Sequence, residues 1–252
     1  MVTVDVVKTC RDFGLTPQSR FDILQAGLDI VKIFNPKSIL EIGFGKGDWS
    51  IITSYILSNP SLNVYGIENF SAIQNGIQNN TEEGNWPDNI EKLNSYIETR
   101  KQEVGIENSF KIVEGDILNG IDQLLEPLNT KFDCIRLDCL CQHKEQIKEV
   151  LESCLKFTTS EFLLLVDDAG PNQCGNRFIA CTDLVEEDKF KPLWYSSDEV
   201  AFTNIEFDTD SFMEKFDSIY PKHHYKIRPT IHYFYNGHKK QMDFIRTISL
   251  NP

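Results

Sequence analysis

The chain has no apolar run long enough to cross a bilayer. Its longest, Phe162 to Val166, falls far short of the ~20 residues that a spanning helix requires. The opening Met-Val-Thr-Val-Asp-Val-Val-Lys-Thr-Cys has no signal-peptide apolar core, so a soluble cytoplasmic protein with no membrane partner is expected. Positive charge is also scarce. Lys and Arg number 25 against 38 Asp and Glu, a formal net charge of −13, which argues against nucleic acid as a partner, because phosphate binding needs clustered basic residues. The seven cysteines are odd in number and irregular in spacing, which reads as reduced thiols rather than a disulfide framework. No linker-like or low-complexity stretch divides the 252 residues, and 40% hydrophobic content allows one α/β domain with a sizeable core. The expected layout is a single domain over 1–252, with a helical segment over 1–37, a polar insertion over about 75–105, and closing strands with a substrate cap over 190–252. Whether copies of the chain form a homo-oligomer is left open by the sequence.

What is present concentrates at residues 39–50, Ile-Leu-Glu-Ile-Gly-Phe-Gly-Lys-Gly-Asp-Trp-Ser. A short apolar run passes through Glu41 into glycines at every second position, which reads as a strand turning sharply into a helix. Gly43, Gly45 and Gly47 permit a tight turn and close approach to a ligand. A dinucleotide fingerprint needs a further glycine three positions after the second; Asp48 stands there, which disfavours a nicotinamide oxidoreductase.

Further carboxylates follow at strand ends. Leu62 to Glu68 is a second strand-like run, and Glu68 lies about twenty residues beyond the turn, the separation of an acid that accepts from ribose hydroxyls. Phe110 to Asp116 is a third. Strand-like runs at 38–43, 62–68, 110–114, 132–138 and 161–167 alternate with helical stretches, the pattern of a doubly wound, mostly parallel sheet. Ligands bind beyond the carboxyl ends of such strands, where Gly43, Glu68, Asp116, Asp138 and Asp167 converge. Helices are expected over Ser19–Phe34, with a capping-box-like Ser19 and Asp22, from Asp48, over 88–103 and over Gln146–Leu155. Val200 to Phe207 and Thr230 to Tyr235 read as two closing strands. Asp138, Asp167 and Asp168 would meet at the sheet edge, where three carboxylates repel unless a cation neutralises them. Oxygen-only ligands favour Mg²⁺ over zinc. A zinc site from Cys139, Cys141 and His143 with Cys174 or Cys181 lacks the usual structural spacings.

The pattern Glu41-x-Gly43-x-Gly45-x-Gly47 resembles motif I of the class I S-adenosylmethionine (SAM) dependent methyltransferases. That resemblance implies a Rossmann-like, seven-stranded sheet ending in an antiparallel strand pair. It also implies the glycine turn beneath the methionine part of SAM, Glu68 on the ribose, and Asp116 facing the adenine amino group. Leu137-Asp138 and Val166-Asp167-Asp168 resemble the Mg²⁺ ligands of the metal-dependent O-methyltransferases, of the catechol and the macrolide- and sugar-modifying types, over roughly residues 20–185. The implied activity is methylation of a small-molecule hydroxyl in natural-product metabolism. His143 and Lys144 resemble, at looser spacing, the His and Lys that follow the fourth-strand Asp in those two types. They are the candidate catalytic bases, His143 favoured because imidazole titrates near neutrality. A metal-free N-methyltransferase and a non-catalytic binding protein on the same fold are the alternatives. In the last third, Tyr220 to Tyr225 and His232 to Tyr235 are candidate acceptor walls, or core, and His223 or His224 an alternative base. Trp49 either lines the cofactor cleft or packs under the sheet.

Overall fold

The structure, a computed structural model, describes residues 5–16, 21–71, 86–139, 143–169, 175–195, 199–205 and 233–234. Ser19, Cys141, Cys174, the first part of the insertion, the Tyr220 to Tyr225 segment, His232 and Tyr235 lie outside them.

Five parallel strands form the centre of one sheet: β1 (Ser38–Ile42), β2 (Asn63–Glu68), β3 (Ser109–Glu114), β4 (Phe132–Leu137) and β5 (Thr158–Val166). They are joined by β6 (Lys191–Tyr195), β7 (Val200–Thr203) and the two-residue β8 (Tyr233–Phe234). The spatial order is β3-β2-β1-β4-β5-β7-β6-β8, with β7 antiparallel to both β5 and β6. The strand order reverses at β1, so a crevice opens between β1 and β4 beyond their carboxyl ends.

The expected doubly wound sheet with antiparallel C-terminal strands is thus present, with one adjustment. Among the described residues, the expected strands at 200–207 and 230–235 do not pair with each other. Between them lies β6, whose Lys191 and Pro192 hide it from a strand pattern, since Pro withholds a ladder donor. The β6–β7 register shifts between Pro192 and Trp194, which accommodates it.

Helices α1 (Val6–Phe13), α2 (Phe21–Phe34), α3 (Asp48–Leu57) and α4 (Ile90–Val104) precede β3. The short α5 (Ile121–Leu125), α6 (Lys144–Leu155) and α7 (Gly175–Glu186) follow it. Asp5 caps α1 by accepting from the Lys8 amide, and Asn89 caps α4 by accepting from the Lys92 amide. The helix expected over 88–103 is α4, which crosses between β2 and β3 and buries Leu93, Ile97 and Val104 while its other residues are exposed or half-buried.

Side chains alternate across a strand, and two apolar clusters form on opposite faces of the sheet. Ile39, Cys134, Leu163, Leu165 and Ala201 pack on one face, against residues of α1 to α4. Leu40, Ile42, Ile135, Leu137, Leu164 and Val166 pack on the other, against α6 and α7. Two residues further towards the carboxyl edge, the first face changes character. Glu41 follows Ile39, Arg136 follows Cys134, Asp167 follows Leu165, and Glu199 precedes Ala201. The apolar face therefore ends in a row of charge.

Candidate functional site

The glycine turn adopts the geometry its sequence implies. Gly43, Gly45 and Gly47 have φ of +80°, +57° and +79°, a region that L side chains avoid. Each also faces a neighbour. A Cβ on Gly43 would lie 1.7 Å from the Asp138 carbonyl oxygen, on Gly45 3.1 Å from the Trp86 ring, and on Gly47 2.2 Å from the Phe44 ring. The Asp138 amide donates to the Ile42 carbonyl at 2.7 Å, and the Asp167 amide to the Leu137 carbonyl at 3.0 Å. The parallel ladder thus continues past the strands and holds both aspartates at the edge.

Two clefts open around the turn and share Gly43, Gly45, Trp86 and Asp138. The larger, about 250 Å³, is lined by these residues together with Glu68, Asp116, Leu118 and Cys139. The smaller adds Glu41, Gly47, Lys46, Thr16, Trp49 and Arg136. All six residues expected to bind cofactor therefore line one or both. Glu68 Oε2 accepts from the Gly45 amide at 2.5 Å and its Oε1 from the Asn69 amide at 3.0 Å. Burial raises the Glu68 pKa against the pull of those amides. Asp116 accepts from the Leu118 amide at 2.9 Å, which caps the turn after β3 and fixes its carboxylate in the wall of the larger cleft. The clefts thus present the glycine turn with Glu68 held against it and Asp116 after β3.

Residues that the motifs did not single out complete these walls. Asp48, 4% exposed, accepts from the Thr16 amide at 2.8 Å and from the Tyr96 hydroxyl at 2.8 Å, tying the N-terminal segment and α4 to the first turn of α3. Lys46 donates to Thr16 Oγ1 at 2.6 Å and lies 5.8 Å from the Trp86 ring. Trp86, the aromatic in an otherwise polar stretch, was the available signal. Trp49 both packs in the core and lines the smaller cleft.

The expected metal cluster is arranged otherwise. Asp138 Oδ2 and Asp167 Oδ2 both accept from Arg136, from Nη1 at 2.7 Å and Nη2 at 2.6 Å. Nη1 also donates to Glu41 Oε1 at 3.0 Å, Nε lies 3.6 Å from Glu199 Oε1, and the guanidinium sits 5.2 Å from the Trp49 ring. Asp168 has a φ of +50°. Its side chain is 50% exposed and lies 3.8 Å from Arg177 Nη1. Arg177 itself is buried, and its guanidinium donates to the Asp167 and Cys139 carbonyls. Among the described residues no three His, Cys, Asp or Glu side chains gather as a metal donor set. Mg²⁺ demands near-octahedral oxygens, and here a guanidinium lies between the two carboxylates that should supply them. The residues present do not fit the magnesium ion that the sequence pattern calls for, nor does Cys139 with exposed His143 gather a zinc set among the described residues.

Burial alone would lower the Arg136 pKa, but Asp138, Asp167, Glu41 and Glu199 outweigh it and hold the group charged. Burial pushes the Glu41 carboxyl up to about 8 against the pull of Arg136 and of Ser50, whose hydroxyl donates to it at 2.6 Å. Asp167 and Glu199 are raised by the same loss of solvent. Arg136 and Glu199 escaped the sequence reading. The signal for the first was a charge in an otherwise apolar strand, which must find partners when buried.

The two candidate bases separate. Lys144 is held by Asp183 of α7 at 2.8 Å, and that hydrogen bond raises its pKa and keeps it charged. Lys144 thus bridges α6 to α7 and, like His143, lines neither cleft. His143 is exposed at the start of α6 with no side-chain cap bond, and it lines neither cleft.

The sequence matches no protein-family model and no curated protein. Solved structures do resemble it. An O-methyltransferase from Bacillus cereus in complex with SAH, the demethylated product of SAM, is 15% identical, with 80% of this chain and 89% of that one covered and a TM-score of 0.55. The SAH-bound Podospora anserina methyltransferase PaMTH1 is 14% identical, covers 80% and 88%, and has a TM-score of 0.54. The Streptomyces achromogenes O-methyltransferase TomG, involved in tomaymycin synthesis and solved with SAM, is 16% identical over 80% and 88%, with a TM-score of 0.51. The chain has the Rossmann-like fold of the SAM-dependent O-methyltransferases.

Proposed function

We propose that this protein is a SAM-dependent methyltransferase acting on a hydroxyl of a small molecule, in the specialised metabolism that produces natural products. The observation that carries the proposal is the convergence of Glu41, Gly43, Gly45, Gly47, Glu68 and Asp116 on two adjoining clefts at the switch point of the sheet. SAM supplies an electrophilic methyl group, and the protein has chiefly to align the acceptor for in-line displacement. Glu68 would accept from ribose hydroxyls, Asp116 would face the adenine amino group, and the glycine turn would leave room for the methionine part. Asp138, which lines both clefts, would face the acceptor. His143 and Lys144 are the candidates for removing the hydroxyl proton, His143 favoured because imidazole titrates near neutrality. The magnesium requirement read from the sequence is not carried forward, because Arg136 engages two of its three expected ligands. Specialised metabolism is suggested by the tomaymycin-pathway neighbour.

The same arginine favours a second reading, a metal-free N-methyltransferase. A neutral amine is nucleophilic without the acidification that a divalent ion gives a hydroxyl.

The test is transfer of labelled methyl from SAM in the presence of excess chelator to a panel of catechols, vicinal diols, sugars and amines. Labelled hydroxyl product supports the proposal, and product from amines alone moves the assignment to the second reading. Failure to bind SAM or SAH at submillimolar concentration would leave a binding protein on a methyltransferase fold.

A further inference from the structure

Arg136 is not an incidental surface charge. It sits on β4, 2% exposed, and carboxylates from four separate places in the fold meet it. These are Glu41 of β1, Asp138 after β4, Asp167 after β5 and Glu199 before β7. Trp49 of α3 covers the guanidinium face. Even α2 is shaped to the arrangement. A Cβ on Gly27 would lie 2.4 Å from Glu199 Oε2, so the glycine lets the helix close over the carboxylate that reaches Arg136.

The registers explain why the cluster forms. Glu41 pairs directly with Arg136 across β1 and β4. Arg136 pairs with Leu165, and Leu165 with Ala201, across β4, β5 and β7. Asp167, two positions after Leu165, and Glu199, two positions before Ala201, then fall on the same face beside the guanidinium. A planar fork of five donors matches several carboxylates at once, which a strongly hydrated divalent ion between the same oxygens cannot do while the guanidinium is there. Arg177 adds a second positive group at the loops after β4 and β5.

We infer that Arg136 is the fixed cation of this site, seated between Asp138 and Asp167 where a divalent ion would otherwise bind, so that the chain positions Asp138 for transfer without metal. Arg136 is a positioning residue: it acts through Asp138, which lines both clefts. The transfer half rests on the proposed function, whereas the exclusion of metal stands on the cluster alone and is tested without turnover.

The experiment is titration of Mg²⁺, and of Mn²⁺ followed by its paramagnetic resonance, into the chelator-treated full chain without SAM. Thermal melts with MgCl₂ are compared with melts in NaCl of matched ionic strength. The wild type is expected to show no saturable metal event and no Mg²⁺-specific shift in Tm. Arg136→Gln is expected to gain a saturable divalent event that the double variant Arg136→Gln/Asp138→Asn loses. If Arg136→Gln does not fold, the wild type and Asp138→Asn decide alone. Stoichiometric binding by the wild type that Asp138→Asn abolishes overturns the inference, as does a folded Arg136→Gln that takes no metal. Loss of SAM binding with these metal results intact would sink the proposed function and leave the exclusion of metal standing.

Discussion

Gly27 of α2 and Glu199 before β7 occupy mutually exclusive space: a Cβ at 27 would sit 2.4 Å from Glu199 Oε2. Glu199 is 2% exposed and reaches Arg136, so it cannot retreat without disturbing the cluster. Gly27→Ala is therefore expected to destabilise the fold by roughly 1–3 kcal/mol, the usual range for overpacking, despite the better helix propensity of Ala. In a Glu199→Ala background the same substitution should cost little or turn favourable. A double-mutant cycle read by denaturant unfolding checks this, and additive effects would refute the coupling.

Gly43 presents a harder limit. Its φ of +80° and the 1.7 Å approach of the Asp138 carbonyl to a built Cβ involve backbone on both sides, so no rotamer relieves the contact. Gly43→Ala is expected to abolish SAM binding by displacing the turn from the loop after β4. Gly105→Ala is the control: its φ is +76° but nothing lies within 4 Å. It should cost only about 1 kcal/mol of conformational strain and leave cofactor affinity unchanged. Calorimetry with unfolding curves separates the two outcomes.

Much of this site was legible because its signals are local. The glycine turn, Glu68 and Asp116 each end a short apolar run, so strand, turn and carboxylate can be read from a dozen contiguous residues. Helix α4 was found within two residues of its ends, although its polar face concealed the burial of Leu93, Ile97 and Val104. The Arg136 cluster was not legible in the same way. Asp138, Asp167 and Asp168 can be counted from the strand ends, but their neutralising partner stands inside β4. Glu199 reaches it only through the β5–β7 pairing, more than sixty positions along the chain. Counting carboxylates without asking where the arginine of an apolar strand puts its charge leads to a metal. The partner of Lys144 was hidden for a related reason, since Asp183 is set by the packing of α6 on α7.

Asp29 gives the fold a pH dependence outside the site. It is buried in α2, accepts from Gln25 Nε2 at 3.1 Å, and burial pushes its pKa up to about 7 against that bond and Lys32. The folded protein then holds the proton more tightly than the unfolded chain, whose Asp titrates near the ordinary ~3.9. Its contribution is fully present below pH ~4 and is lost as pH rises to about 7, with an upper bound of about 4 kcal/mol. Asp29→Asn should flatten this slope and be the more stable protein at pH 8. Chemical denaturation across pH 4–8 checks it; an unchanged slope would remove Asp29 as the source.

The candidate bases should behave differently on substitution. Lys144→Met removes the ion pair with Asp183 and is expected to leave kcat within twofold of the wild type. His143→Ala should lower kcat by about 10²–10⁴ with little change in SAM affinity, the range for loss of a general base. Steady-state kinetics on whichever acceptor the screen yields decides between them. Full activity in His143→Ala would turn the search for a base to His223 or His224.

The most direct measurement is a calorimetric titration of SAM into chelator-treated protein, repeated with Mg²⁺ added and with Glu68→Gln. The expected result is one SAM per chain, an affinity indifferent to Mg²⁺, and a loss of roughly tenfold to a hundredfold in Glu68→Gln, as a charged hydrogen-bond acceptor is worth about 1.5–3 kcal/mol. No SAM binding at submillimolar concentration, or binding that appears only with Mg²⁺, would contradict the account.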